Sequence, residues 1–535
     1  MSVRTLLAFR LRRERAILPV CLGGITALLA VSGTAIAREF GGEEERAALV
    51  ALAAGNPAFR FLRGLPDGSG VDALVFFQTF AFLAVLVGLM NTFLITRHTR
   101  TDEERGREEL LLAAPTRRVV PLATASAVAI GADLVLAALI AVAGTASGFD
   151  PAGSLLTGLA LGCVGVCFAG IATVSAQLMP SPRGANGVAA AAVGIAYLVR
   201  GVGDALGTVR DPEHVDPSWV SSLSPIGWAQ AVRPFSEPAP LLLLVPLAVA
   251  ALAFGAAWAI RSRRDLGASV IAERPGPPEW RRAGGWRLAV RNQMGSAVGW
   301  MIGTAVLGFL AGILAPAVAE AVGSNDELAS LIQRLAPGLA ADSADLFAIA
   351  LLGIAGTLAT AAGVQAITRL RLDEAEGRAE LILSTPTSST SWYLRQVGTA
   401  IGSSCVAAVA GGVAAGAGFA ATGAPVDRIG TSLATILVHL PAGSVFVGLS
   451  ALAFAVVPRV SIAIGWGTLV IGLVVGQFGE LLGLPEAIQD VSPFHHVPAV
   501  PLEAIDPAPL VAAGAVAFGL VAFGALLLRR RDIPA

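Results

Sequence analysis

Long apolar runs separated by short charged links fill almost the whole chain, and their lengths decide its architecture. In the first half they lie at about 16–37, 71–94, 119–144, 151–179, 185–206 and 241–260; in the second, at about 296–319, 345–367, 392–418, 431–457, 460–480 and 508–528. Each is close to the roughly 20 apolar residues a helix needs to cross about 30 Å of hydrocarbon. The pattern predicts an all-α polytopic membrane protein with about twelve transmembrane helices.

One polar link breaks the monotony. Arg100-Thr-Asp-Glu-Glu-Arg-Gly-Arg-Glu-Glu-Leu-Leu-Leu-Ala-Ala-Pro-Thr116 returns 271 positions later at 371–387, without a gap and with ten of seventeen residues unchanged. The chain therefore reads as two fused, diverged copies of one unit. Six spans per copy is an even number, so the repeats are parallel rather than inverted. The first unit takes residues 1–265, a polar link 266–290 and the second unit 291–535.

Arginine placement sets the orientation. Arg4, Arg10, Arg12, Arg13 and Arg15 make residues 1–15 an amphipathic segment suited to an anionic leaflet, and Arg183, Arg261, Arg263, Arg264 and the tail Arg529-Arg-Arg-Asp532 mark other inner links. Both termini are expected in the cytoplasm, with outer segments at about 38–70, 207–238 and 320–344. The run at 16–37 is long for a signal peptide and has an equivalent in the second half, so it reads as a retained first helix. In the segment 207–238, the prolines with Trp219 and Trp228 suggest a short broken helix at the headgroups.

Composition agrees with this. The chain is 55% hydrophobic, 14% charged and has a mean hydropathy of +0.72, against roughly 25% charged residues in soluble domains. The net charge of -1 gives no footprint for nucleic acid. Cys21, Cys163, Cys167 and Cys405 all sit in apolar runs as small hydrophobes, and no metal site is read from them. Every fixed cation is arginine. Without a lysine there is no Gly-x-x-x-x-Gly-Lys-Ser/Thr phosphate loop, so the chain is not expected to hydrolyse ATP alone.

The repeated link is the first candidate for function. Its acids open a short helix, expected over about 102–115 and 373–386, which ends at Pro115 and Pro386. Glu103 and Arg107 form a helpful i,i+4 pair while Glu104 and Glu108 repel, so some acids need another basic partner. A solvated hairpin is one reading; recurrence in both halves favours a docking knob carrying Glu103, Glu104, Arg107, Glu108 and Glu109, and Glu374, Glu376, Arg378 and Glu380.

Asp133 stands near the middle of span three, where a lone carboxylate must be protonated, hydrogen-bonded or wetted. It reads first as a clamp to a neighbouring helix, second as a contact for a cationic or polyol substrate, and last as a proton-coupling group. Arg200 and Asp204 either close the outer end of span five or, facing Glu480, form an extracellular gate. Phe76, Phe77, Phe80 and Phe82 crowd span two around Gln78, as helix packing or as a binding surface.

The amphipathic start, the six-span unit, the Glu-x-x-Gly-Arg-x-Glu-Leu segment between spans two and three, and Ser224-Pro-Ile-Gly-Trp228 before span six together resemble ABC-2 type membrane subunits of ATP-binding-cassette exporters. The likeness is to the fused actinobacterial permeases described as exporters of polyketide antibiotics, and covers nearly the whole chain. It implies two type V exporter-like six-helix repeats in the cytoplasmic (inner) membrane, an elbow at 1–15, and the repeated link as coupling helix.

The same resemblance implies two copies of a separate cytoplasmic ATPase, which would hold ATP and Mg, and a pathway along spans two, five, eight and eleven. There Phe76, Phe77, Phe80, Tyr197 and Trp466 would offer apolar or aromatic contact, and Gln78 and Gln477 hydrogen bonds, to an amphipathic small molecule. The second copy departs at Ala375, Glu376, Ser388 and Ser389, and at His495 and His496, which stand where the first unit has Gly227 and Trp228. The sequence reading is thus a permease subunit of an ATP-driven exporter of drugs or antibiotics. Its rivals are a proton-coupled secondary transporter, which twelve spans in two halves also fits, and a membrane scaffold or assembly factor.

Overall fold

The computed structural model describes residues 3–39, 42–114, 116–271, 284–323, 343–425, 427–478 and 485–531. These fall into two units, divided between Gly276 and Pro277. Almost every element is a helix, and local chemistry marks where several begin. Asp150 accepts the Gly153 N–H in front of Pro151, Ser181 accepts Gly184 N–H in front of Pro182, and Asp506 accepts Ala508 N–H in front of Pro507. Each is a capping oxygen followed by a proline whose missing donor is not needed in the first turn.

In the first unit, α1 (Val3–Glu14) and α2 (Ile17–Glu39) are followed by the short α3 (Glu43–Gly55) and α4 (Pro57–Arg63). Then come α5 (Val71–His98), α6 (Arg100–Glu104), α7 (Arg107–Leu112), α8 (Val120–Ala146), α9 (Pro151–Leu178) and α10 (Pro182–Ala205). A hairpin, β1 (Thr208–Asp211) with β2 (His214–Asp216), and a 3-10 turn lead to α11 (Pro225–Gln230) and α12 (Leu244–Arg263). The broken helix expected around 207–238 is therefore preceded by two short antiparallel strands. Asp211 makes their turn by accepting from the backbone N–H of Glu213 and His214.

α9 is the hub of this unit and packs on α5, α8, α10, α11 and α12. Its glycines permit that closeness: a Cβ on Gly158 would lie 2.2 Å from the Ala137 carbonyl oxygen of α8.

The second unit contains α13 (Gly285–Gly323), α14 (Ser343–Ala375), α15 (Arg378–Leu383), α16 (Ser389–Ala421), α17 (Arg428–Leu437), α18 (His439–Val456), α19 (Ser461–Phe478), α20 (Glu486–Gln489) and α21 (Pro507–Leu528). α13 and α16 cross backbone to backbone, since a Cβ on Gly308 would meet the Gly411 carbonyl at 2.1 Å and one on Gly312 the Ala415 carbonyl at 2.1 Å. Span ten, expected as one run, is two helices meeting at Val438. The elbow-like residues 286–291 run straight into the first span of this unit instead of forming a separate helix.

Among the described residues, eleven helices are long and apolar enough to cross a membrane, and the shorter apolar α19 stands where the remaining span is expected. The protein is a multi-pass membrane protein. Most of the outer segment 320–344 lies outside the described residues.

Candidate functional site

The repeated link folds the same way in both units. Gly106 takes φ +66° and Gly377 φ +70°, the left-handed region that favours glycine. Each glycine ends one helix and starts another, so the expected single short helix is a sharp bend: α6 into α7, and α14 into α15. The carboxylate five residues ahead of Arg107 or Arg378 ties each bend, with Arg107–Asp102 at 3.3 Å and Arg378–Asp373 at 2.9 Å.

A second tie comes from the end of the last span. Arg264, just past α12, pairs with Glu103, and Arg531, just past α21, pairs with Glu374. These arginines occupy matching places, each directly before an aspartate, Asp265 or Asp532. The recurrence of the arginine-rich tails thus has a structural cause: each tail holds the bend of its own unit.

The first unit adds further ties. Arg13 of α1 meets Asp102 at 2.8 Å, Arg97 meets Glu14 at 2.9 Å, and Arg100 meets Glu103 at 2.5 Å. Arg10 donates to the carbonyls of His98 and Pro121, both at 2.9 Å, and burial lowers its guanidinium to about 10. Arg261 reaches Glu103 at 3.1 Å and Glu108 at 2.5 Å. Burial pushes the Glu108 carboxyl up to about 7; Arg261 opposes the rise and the neighbouring Glu103 adds to it.

The candidate acids therefore divide by role. Glu103, Glu108 and Glu374 are enclosed and spent on ion pairs within their own units. Glu104, Glu109, Glu376 and Glu380 are exposed, and so are Leu110 and Leu381, at 77% and 72%. Each bend presents an adjacent Glu-Leu pair outward, braced from behind by arginines. Asp102, Asp373, Arg13, Arg261, Arg264 and Arg531 were not singled out as partners from sequence, although the echoing tails pointed to two of them. Pro115 lies outside the described residues.

The other candidates lie along the spans. Phe76, Phe77 and Phe80 are enclosed in the first unit's core, while Phe82 of the same helix is 41% exposed. Tyr197 is half-buried and donates its hydroxyl to the Leu62 carbonyl at 2.7 Å. Trp466 packs half-buried against the second unit's core. Gln477 belongs to α19, but its side chain and all of Glu480 lie outside the described residues.

Arg200 and Asp204 are fully buried and 3.0 Å apart. Arg200 also donates to the Phe61 carbonyl at 2.9 Å, and Asp204 accepts from Ser221 and Gln230, each at 2.9 Å. The pair knots α4, α10 and α11 together. Asp133 accepts from Asn91 Nδ2 at 2.8 Å, which joins α8 to α5.

A family model of the C-terminal domain of the multidrug efflux system permease Rv1217c matches residues 283–529, nearly all of the second unit. Beyond that domain, the chain is 33% identical over 539 residues to the multidrug efflux system permease protein Rv1217c of Mycobacterium tuberculosis (strain ATCC 25618 / H37Rv), covering 99% of this chain and 94% of the relative. The chain belongs to the multidrug efflux permease family. Both units of this family member, not only the one that the domain model covers, carry the braced bend and its outward Glu-Leu pair.

Proposed function

We propose that this permease is the translocating subunit of an ATP-driven exporter in the cytoplasmic membrane, moving bulky amphipathic compounds such as drugs or polyketide antibiotics. Two copies of a separate ABC ATPase supply the drive and hold the ATP and Mg. The observation that carries the reading is the paired bend. A link that needed only to connect two spans would not require a left-handed glycine, two internal ties and an exposed acid-leucine pair in both units. Such a bend is stiff enough to pass a push from a docked protein into the spans that hold it.

Glu109 with Leu110 and Glu380 with Leu381 are the contact points in this reading, while Glu103, Glu108 and Glu374 transmit load to α12 and α21. The membrane route runs over amphipathic surface, with Phe82 rather than the enclosed Phe76, Phe77 and Phe80 presenting a ring in this conformation.

The test is copurification with the cognate ATPase, followed by ATP-dependent transport in vesicles. Glu109→Arg combined with Glu380→Arg should weaken ATPase association or leave hydrolysis uncoupled from transport. Unchanged association and transport in that variant would remove the coupling role. Transport driven by a proton gradient in vesicles without any ATPase would replace the whole reading with a secondary transporter.

A further inference from the structure

Arg63 closes α4 beside the end of α5 that lies away from the charged bend. Its neighbours in the first unit are held by shorter bonds: Arg60 donates to the Gly207 carbonyl at 2.8 Å, and Arg200 is held by Asp204, Phe61 and the face of Tyr197 at 4.7 Å. Arg63 is different. Of its five N–H donors, one reaches Gln78 Oε1 at a long 3.4 Å, and its guanidinium lies over the Phe82 ring at 5.9 Å. Among the described residues no carboxylate comes within ion-pair distance of it, and burial lowers its pKa. A half-buried guanidinium without an anion retains a strong demand for one.

Gln78 and Phe82 complete the surroundings. Gln78 accepts from Arg63 through its amide oxygen, and its N–H donors make no hydrogen bond among the described residues. Gln78, Phe82 and Leu86 recur every four residues, which places them on one stripe of α5, with Phe82 and Leu86 exposed at 41% and 42%. Tyr197, 6.1 Å from Phe82 and fixed by its own hydrogen bond and by Arg200, backs the ring. At the positions 271 further along, α14 of the second unit has Ile349, Gly353 and Thr357, which offer neither an amide nor a ring.

We propose that Arg63, Gln78 and Phe82 form a recognition site for the acidic group of a small amphipathic molecule, a carboxylate or sulfonate whose apolar body lies along Phe82 and Leu86. Guanidinium and amide donors together suit a two-oxygen anion, and the ring and leucine suit the adjoining hydrocarbon. The site gives the exporter a substrate class, acidic amphiphiles. It rests on the export reading, but binding is measurable without transport, so the two fail separately.

The probe is dansylundecanoate, compared with its methyl ester, which has the same body without the charge. Binding to the full chain in phosphatidylcholine nanodiscs is measured by fluorescence against empty nanodiscs. The unaltered chain should prefer the acid over the ester by roughly tenfold, as expected for charge-assisted hydrogen bonds. Arg63→Gln should abolish that preference while leaving ester binding intact, Arg63→Lys should keep part of it, and Phe82→Ala should weaken acid and ester alike. If Arg63→Gln does not fold, as judged by its unfolding midpoint, the Arg63→Lys and Phe82→Ala comparison decides. An acid preference that survives Arg63→Gln overturns the proposal. Displacement of the probe by phosphatidylglycerol at matching affinity also overturns it, by giving the site to a lipid headgroup.

Discussion

Glu108 and Arg261 meet at 2.5 Å inside the first unit, both almost wholly enclosed. At the matching positions the second unit has Ala379 and Leu528, each 1% exposed and both part of one apolar cluster. One joint between bend and last span is thus built from charge and the other from packing. Removing one member of a buried ion pair costs about 3–5 kcal/mol, whereas exchanging both for packed apolar groups is often nearly neutral. Glu108→Ala alone should destabilise by about 3 kcal/mol, the low end because Arg261 keeps Glu103. The double variant Glu108→Ala, Arg261→Leu should recover most of that loss in equilibrium unfolding of the purified chain. A double variant no more stable than the single would sink the equivalence of the two joints.

The same carboxyl makes the first unit sensitive to pH. Its folded pKa is raised from 4.5 to about 7, so between those values the folded state binds more protons than the unfolded one. The contribution of Glu108 to stability is therefore complete below pH 4.5, declines as pH rises toward 7 and is level above that. The decline is on the order of 3 kcal/mol. Glu108→Gln should flatten this part of the profile, which unfolding midpoints across the window would reveal. A profile identical to that of the unaltered chain would assign the pH dependence elsewhere.

Gly106 and Gly377 supply the bends with backbone freedom rather than space. A Cβ at either position would meet no atom within 4 Å, yet φ is +66° and +70°. Gly106→Ala should cost about 1–2 kcal/mol from conformation alone, and Gly106→Asn less, because asparagine tolerates the left-handed region. The ranking Gly, Asn, Ala in unfolding midpoints checks this. If alanine matched glycine, the bend would not be strained at that residue.

The apolar spans were legible because their length alone distinguishes them, and the repeat was legible because ten residues kept their spacing. Which face of a span is exposed was not. α5 is apolar on every side, so nothing in its pattern told Phe82 from Phe76, Phe77 and Phe80; only packing against α9 and α10 makes the distinction. The break at Gly106 was hidden because a glycine between charged residues fits a helix as readily as its end. The Arg264–Glu103 tie joins residues 161 positions apart, beyond the reach of local periodicity, although the duplicated tail was a usable hint.

Asp133 provides the sharpest division between a structural and a transporting carboxyl. Asn91 Nδ2 donates to it at 2.8 Å and also to the Val87 carbonyl at 3.1 Å, which fixes the amide on α5. α9 leaves room for the pair with Gly165, where a Cβ would lie 2.2 Å from Asp133 Oδ1 and 2.8 Å from Val87 Cγ1. If the pair clamps α5 to α8, shape and hydrogen bonding matter and ionisation does not. Asp133→Asn, nearly the same shape, should keep the unfolding midpoint, and export in the proposed ATP-driven reaction, close to those of the unaltered chain. Gly165→Ala should cost about 1–3 kcal/mol by overpacking the same point. A proton-coupled transporter would behave in the opposite way, losing transport in Asp133→Asn while remaining folded. Vesicle transport energised separately by ATP with the proposed ATPase partner and by a proton gradient distinguishes the two: a folded Asp133→Asn protein that no longer exports would make this carboxyl part of the transport cycle.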